Sequence, residues 1–383
     1  MKAYKFKIKR PTKVLVLRFE QTLDLCRELY NAGLQERRDA LKLNRISISY
    51  VEQANQLGDI KAVRDDLETV HSQVLQDVLK RLDKTFKAFF GRVKKGEKAG
   101  FPRFKGKHRF DSFCFPQSGF KFVGDKLTLS KIGSMRIRLS REIVGKIKTC
   151  AIKQEVDGWY VIFTAETEKE LLAKTGESIG VDVGLENFAT LSNGEQIENP
   201  RFLRQSERRL KTAQRNVSRK RKGGNSRKKS VRLLRKQHLK ITRQRQDFCH
   251  KTANSIVERF DEIAVENLQI RNMVKNHHLA KSIADASWGN FLQTLQNKAE
   301  NAGKRVWKVN PNGTSQTCIC GETVKKSLAI RHHNCSKCGL SLHRDIVSAK
   351  VILKRAVGQT VEELTYGNSH RVSSESPSIN ASV

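Results

Sequence analysis

Three acidic residues in this 383-residue chain stand where acids are costly. Asp182 and Glu266 lie at or near the ends of runs that otherwise read as apolar strands, Ile179-Gly180-Val181-Asp182-Val183-Gly184 and Glu262-Ile263-Ala264-Val265-Glu266. Asp345 opens a stretch with Ile346, Val347, Ala349, Val351 and Ile352 that reads as a helix. Carboxylates brought together repel unless they are protonated or neutralised, and divalent cations neutralise them while leaving positions open for phosphate oxygens. Two Mg2+ ions about 4 Å apart in such a site activate water and stabilise the departing 3′ oxygen of a phosphodiester. Position alone leaves a second reading open, in which Asp182 caps a turn and Glu266 and Asp345 are surface acids.

Four of the eight cysteines cluster, and Cys26, Cys114, Cys150 and Cys249 stand alone. Cys335-Ser336-Lys337-Cys338-Gly339 is half of a zinc knuckle, and Cys318-Ile319-Cys320-Gly321 lies 15 residues before it. Soft thiolates in this arrangement suit one tetrahedral Zn2+ in a closed, structural site that performs no catalysis. The first pair has one intervening residue instead of two, which leaves His332 or His333 as an alternative ligand. A clustered set of this kind points to a metal and a reducing compartment and not to disulfides.

Lys and Arg total 74 against 39 Asp and Glu, a formal net charge of +35. Such an excess calls for a polyanion and argues against a small-metabolite enzyme. About half of it sits in residues 201–245, where 19 Lys or Arg, among them Arg208, Arg209, Arg219, Lys220, Arg221, Lys222, Arg227 and Lys228, face a single acid, Glu207. Basic helices often present a merely solvated face, but that face is normally relieved by acids one turn away, and here these are missing. Nucleic acid is therefore the expected partner, and not a membrane or a small molecule. The Phe-rich segments Phe101-Pro102-Arg103-Phe104-Lys105 and Phe113-Cys114-Phe115-Pro116 either stack on bases or pack in a core. No apolar run approaches a membrane span and the first ten residues carry no signal-peptide core, so an intracellular protein is expected.

The elements that must position these residues follow from periodicity. Tyr4, Phe6 and Ile8 alternate with Lys5, Lys7 and Lys9 and predict a strand with one basic face, ended by Pro11. Residues 14–94 read as a small helical bundle, with Val74, Leu75, Val78, Leu79, Leu82, Phe86 and Phe89 on one stripe. Gly96, Gly100, Pro102 and Gly106 break that pattern, and short alternating runs over 113–168 predict antiparallel strands that the first strand joins in a barrel. From Ser178 an α/β core is expected: strands near 179–184, 188–191, 262–266 and 305–309, two basic helices divided at Gly223-Gly224-Asn225, and a helix over about 283–302. The chain beyond about 359, rich in Ser after Gly367, is expected to be disordered.

Taken together, Gly100-Phe101-Pro102-Arg103-Phe104-Lys105, the Gly180-Val181-Asp182-Val183-Gly184 strand, Lys251 to Val265 leading to Glu266-Asn267-Leu268, Ala286-Ser287-Trp288-Gly289, Thr314-Ser315-Gln316-Thr317-Cys318 and His343-Arg344-Asp345 resemble the TnpB family over nearly the whole chain. These are transposon-encoded, compact RNA-guided nucleases related to type V CRISPR effectors. The resemblance implies an α+β multidomain protein. A wedge β-barrel (1–13 and 95–172) would carry a helical recognition insertion (14–94). A RuvC-like nuclease domain of RNase H fold (173–310 and 343–358) would follow, interrupted by a zinc-binding element (311–342). By the same resemblance Asp182, Glu266 and Asp345 match the catalytic acids that hold Mg2+, and a guide RNA from the transposon end pairs with double-stranded target DNA beside a short transposon-adjacent motif. Tyr50, Ser72, Gln73 and Gln76 become candidate contacts to that motif, and Arg103 and Lys105 further nucleic-acid contacts. A bacterial cytoplasmic protein, on the nucleoid when bound to DNA, is implied. Two departures stand out: the short Cys318-Cys320 spacing, and Val347 where the family usually has Asn. Intact acids favour an active endonuclease over a cleavage-deficient, repressor-like binder. A strand transposase lacks its His-hydrophobe-His pair and nucleophilic Tyr, and a generic zinc-ribbon binder leaves the three acids without a role.

Overall fold

The computed structural model describes residues 1–107, 109–327 and 330–369, with side chains as far as 358. The chain forms two compact units, Met1–Glu168 and Lys169–Val383.

The first unit opens with β1 (Lys2–Ile8), whose Tyr4, Phe6 and Ile8 are buried as their alternation requires. The opposite face is not left charged: Lys5 pairs with Glu155, Lys7 with Asp157 at 3.3 Å and Lys9 with Asp125 at 3.0 Å. Thr12 then accepts a hydrogen bond from the Leu15 amide and starts α1 (Lys13–Asn44), which ends at Arg45 in the left-handed region, φ 54. Two short helices, α2 (Tyr50–Asn55) and α3 (Leu57–Val63), and a 3-10 turn (Asp65–Thr69) lead to the strongly amphipathic α4 (Ser72–Lys94). The rest is β2 (Ser112–Phe115), β3 (Phe120–Val123), β4 (Lys126–Leu129), β5 (Gly133–Arg138), β6 (Lys146–Glu155) and β7 (Gly158–Glu166). These strands form one antiparallel sheet in the order β2-β6-β7-β1-β5-β4-β3, so the first strand sits in its middle. Helices and strands share a single core: Phe19 of α1 packs 4.8 Å from Trp159 and 6.2 Å from Phe113. Phe113 and Phe115 belong to that core, whereas Phe101 and Phe104 stay on the surface.

The second unit is built on β8 (Ser178–Val183), β9 (Asn187–Leu191) and β10 (Gln196–Glu198), followed by the basic helices α5 (Phe202–Ser218) and α6 (Asn225–Arg259), which pack on one another. Next come β11 (Glu262–Glu266), α7 (Ile270–Met273), α8 (His277–Ala286), α9 (Trp288–Asn301) and β12 (Arg305–Val309). The small hairpin β13 (His332–Asn334) and β14 (Ser341–His343) precedes α10 (Arg344–Ser369). The main sheet has the order β10-β9-β8-β11-β12, antiparallel across β10, β9 and β8 and parallel across β8, β11 and β12. Both faces are covered, which is why these strands read as nearly unbroken apolar runs. Ile179, Val181, Ile263 and Val265 face α6 and α9, while Ala264 and Val309 face Ile352 and Ala356 of α10. α10 lies so close that a Cβ on Gly180 would stand 2.0 Å from the Ala349 carbonyl oxygen.

Two expectations are corrected. The helix expected over 283–302 is two helices, because Ser287 takes φ 62 and caps α8 through its amide to the Ile283 carbonyl. α10 also runs through Ser369, past the boundary expected at 359; residues 370–383 lie outside those described.

The fit at Gly180 makes a testable demand. Gly180→Ala must push α10 off β8 or strain both, and overpacking of this kind costs about 1–3 kcal/mol. A lowered melting temperature of the purified variant is expected, and an unchanged one would contradict the contact.

Candidate active site and cysteine cluster

Parallel pairing of β8 and β11 sets the first two acids side by side. Val181 lies opposite Val265, so Asp182 and Glu266 are the next residues on each strand and share a sheet face with Gly180 and Ala264, the face that α10 covers. Asp345 is the second residue of α10, one helical turn before Ala349, and its amide donates to His343 Nδ1 at 3.3 Å. The three residues picked out in the sequence therefore converge at one end of the sheet.

Their electrostatics follow from this placement. Burial pushes the Asp182 carboxyl well above its ordinary value, and Glu266 and then Asp345 raise it further, against the opposing charge of Arg344. Glu266 is raised by burial, and the Thr314 hydroxyl, which donates to it, and Arg355 pull the other way. Arg355 also holds the carbonyls of Asn310 and Asn312 at 2.7 and 2.8 Å, tying α10 to the loop after β12. Arg331 bridges Glu186 at 2.9 Å and Asp345 at 4.0 Å. Beside it opens a cleft of about 740 Å³ whose lining includes Arg201, Arg204, Lys281 and Arg331. Neither Arg331 nor Thr314 was marked out by composition or periodicity, because each acts through a partner distant in sequence. Val347 is buried on α10, and its place two residues beyond Asp345 turns it about 200° away around the helix.

Among the described residues, one group stands at metal-ligand spacing, the Sγ atoms of Cys318, Cys320, Cys335 and Cys338, all within 4.8 Å of one another. Cys318 lies 3.6 Å from Cys338, and Cys320 lies 3.7 Å from Cys335. Four sulfurs at 2.3 Å from one ion form a tetrahedron with edges of about 3.8 Å, so the donor set fits Zn2+. Gly321 (φ 92) and Gly339 (φ 70) turn the chain back after each pair, which lets the short Cys318-Cys320 spacing close. His332 and His333 are not in the cluster, and His333 is buried with Nδ1 against Lys326.

The expected nucleic-acid residues divide. Arg208, Arg209, Arg219, Arg221, Lys222 and Lys228 are exposed along α5, α6 and their connection, and Arg227 is half-buried. Lys220, also exposed, lies in the connection after α5 and donates to Ser230 at 2.7 Å, tying that connection to α6. The α5 N-terminus is capped by Asp285, which accepts from the Leu203 and Arg204 amides and pairs with Arg245 at 2.7 Å. Ser72, Gln73 and Gln76 lie in the first turn and a half of α4, where Gln76 is exposed. Ser72 accepts from Lys61, and Gln73 accepts from the Ser118 amide at 2.9 Å. Tyr50 packs partly against the core. Arg103 is exposed, and Lys105 lies 5.7 Å over the Tyr30 ring.

Fold and site thus define an α/β protein with a convergent acid trio and a four-cysteine cluster in one unit. A family model described as "Probable transposase" matches residues 161–277, and one described as "Cas12f1-like, TNB domain" matches residues 288–352. Two relatives carry the name "Putative RNA-guided DNA endonuclease". The one from Streptomyces pristinaespiralis is 31% identical over 362 residues, covering 92% of this chain and 88% of its own. InsQ of Escherichia coli (strain K12) is 30% identical over 383 residues, covering 94% and 93%. The solved structure of the mini-RNA-guided endonuclease CRISPR-Cas_phi3 shares the fold, with a TM-score of 0.51 at 10% identity over 93% of this chain and 92% of that one. The chain belongs to the TnpB family. No described helix is long and apolar enough to cross a membrane.

The raised carboxyl gives a pH dependence. The folded chain keeps a proton on Asp182 that the unfolded chain loses above about 3.9, so stability falls as pH rises from there through the elevated folded value. Without added divalent cation, Asp182→Asn is expected to melt above the wild type near pH 7 to 8, the gap shrinking as the pH falls toward about 4. A gap that is absent or widens on acidification would contradict the raised Asp182 carboxyl. For the cysteines, replacing Cys335 and Cys338 together by Ser is expected to remove about one bound zinc per chain and lower the melting temperature. Unchanged zinc content by elemental analysis would refute the cluster as a metal site.

Proposed function

We propose that this protein is an RNA-guided, divalent-metal-dependent DNA endonuclease that cuts beside a short transposon-adjacent motif. The observation that carries the reading is the convergence of Asp182, Glu266 and Asp345 at one end of the mixed sheet, in surroundings that disfavour the charge on Asp182 and Glu266. Mg2+, bound as a pair by these carboxylates, would supply an activated water and a counter-charge for the departing 3′ oxygen. Thr314 orients Glu266, Arg355 fixes the loop that carries Thr314, and Gly180 lets α10 bring Asp345 within range. Sheet order and acid placement support a RuvC-like nuclease domain of RNase H fold over 173–310 and 343–358. The four cysteines support a structural Zn2+ that closes the element at 311–342.

In the first unit, the antiparallel sheet supports the role of a wedge domain and the helices of 14–94 that of a recognition insertion. Exposed cations along α5 and α6 suit phosphates, and base pairing between guide RNA and target strand would read the sequence while the protein holds the heteroduplex backbone. Ser72, Gln73 and Gln76 are proposed to face the adjacent motif. A repressor-like protein that binds under RNA guidance without cutting is the alternative outcome of the same test.

The test is to purify the chain with its co-expressed transposon-end RNA and incubate it with Mg2+ and a plasmid library carrying a guide-matched target beside randomised flanking bases. Cuts dependent on RNA and Mg2+ are expected. Asp182→Ala should lower cleavage by at least about a thousandfold while guided binding is retained, because a metal ligand and not a phosphate contact is removed. Equal loss of binding would sink the assignment of Asp182, and specific binding without cuts by the wild type would establish the repressor-like alternative.

A further inference from the structure

At the C-terminal end of α4 a set of phenylalanines is arranged unlike the rest of the first unit's core. Phe86 is buried, with the Arg37 guanidinium over its ring at 5.3 Å, and Arg37 is itself pinned by Gln53 at 2.7 Å and Asp83 at 3.3 Å. From that anchor the rings climb outward. Phe101 stands edge-on to Phe86 at 5.7 Å and to Phe89 at 5.4 Å, and Phe89 meets Phe90 at 5.1 Å. The outer rings face solvent: Phe90 is 52% exposed and Phe101 39%, with Val93 of α4 at 50%, and Phe104, three residues on in the same loop as Phe101, is 44% exposed. The loop that carries Phe101 and Phe104 is fixed, because the Asn31 side chain both donates to the Lys105 carbonyl at 3.0 Å and accepts from its amide at 2.8 Å. The result is an aromatic ledge held in place from behind and open in front.

Its surroundings say what covers it. From Lys87 to Lys105 the chain carries seven Lys or Arg against one acid, Glu97. Lys87 is bound to Asp83 and Lys105 lies over Tyr30, while Arg92, Lys94, Lys95, Lys98 and Arg103 make no ion pair among the described residues. Two copies of such a surface repel, and a neutral apolar partner leaves the cations unrelieved. A single-stranded nucleic acid satisfies both parts, with phosphates on the cations and bases on the rings. A patch of exposed aromatics on a soluble chain also needs a resident cover and not a passing one. Under the reading proposed above, on which this inference rests, the resident strand is the guide RNA, and target DNA comes and goes.

We infer that the Phe90–Phe101–Phe104 ledge is a stacking platform for unpaired bases of the guide RNA. Its residues belong to the first unit, whereas the acid trio and the basic α5–α6 pair belong to the second. Stacking and charge are separable in an experiment, because only ion contacts set the slope of affinity against salt.

The full-length, RNA-free protein is titrated with a fluorescein-labelled single-stranded RNA of about 20 nucleotides, and with DNA of the same sequence, across a range of KCl concentrations. The double variant Phe90→Ala, Phe104→Ala is expected to bind the RNA about tenfold more weakly at every salt concentration with the slope unchanged. Phe90→Trp should bind as the wild type does, and RNA should quench the added indole emission. An affinity unchanged in the double variant, a slope that falls together with the affinity, or an added Trp that RNA leaves unquenched overturns the platform. DNA held as tightly as RNA, and weakened as much, overturns the choice of RNA. The Trp variant keeps an aromatic ring at a half-exposed position, so its emission decides the matter even where the alanine variant folds poorly. Wild-type protein that binds neither strand would instead overturn the proposed function.

Discussion

The contact on which the second unit depends is the approach of α10 to β8 at Gly180. There is no room for a side chain between the strand and the Ala349 carbonyl, and Gly180 is further locked by two bonds to Ser192, one through each of its backbone polar groups. Gly180 lies two residues before Asp182 on the same face, and Ala349 lies four residues after Asp345 on the same side of its helix. The missing Cβ thus sets the distance between two acids 163 positions apart in the chain. Parallel pairing of β8 with β11 does the same for Glu266.

A site built this way is held together by packing and opposed by its own charge. Most of this chain is strongly basic, yet its three converging acids are partly sheltered from solvent, and the nearest cations are already employed. Arg355 holds backbone carbonyls, Arg331 is shared with Glu186, and Arg344 offsets part of the charge on Asp182. Asp182 and Glu266 are thereby left under-neutralised, which costs stability once they ionise. The cysteine cluster has the opposite character: its sulfurs already stand at the spacing of one tetrahedral ion, as expected of a site that stabilises a fold and performs no chemistry.

Much of the second unit was legible in the chain. Its strands announced themselves as apolar runs because both sheet faces are covered, and an acid at the end of such a run is conspicuous for the same reason. Less was legible where a side chain acts through a distant partner. Lys220 and Lys105 look like their free basic neighbours, but one ties the α5–α6 connection to Ser230 and the other lies on Tyr30. Ser287 gives no sequence signal for the left-handed conformation that splits α8 from α9. The two phenylalanine segments had one composition and two fates, since Phe113 and Phe115 alternate inward from β2 into the core while Phe101 and Phe104 ride a loop on the surface.

The sequence by itself determined the element types, the charge that demands a polyanion, the acids and cysteines available for metals, and the motifs that mark the family. Periodicity, composition and spacing are local properties, and local properties fix what a segment is. Only the tertiary structure decided which cations are free, which rings are exposed, that His332 and His333 stand outside the cysteine cluster, and that Asp182, Glu266 and Asp345 meet. Each of these depends on strand register and on the close approach of α10 to β8, which join residues far apart in the chain and leave no periodic trace in it.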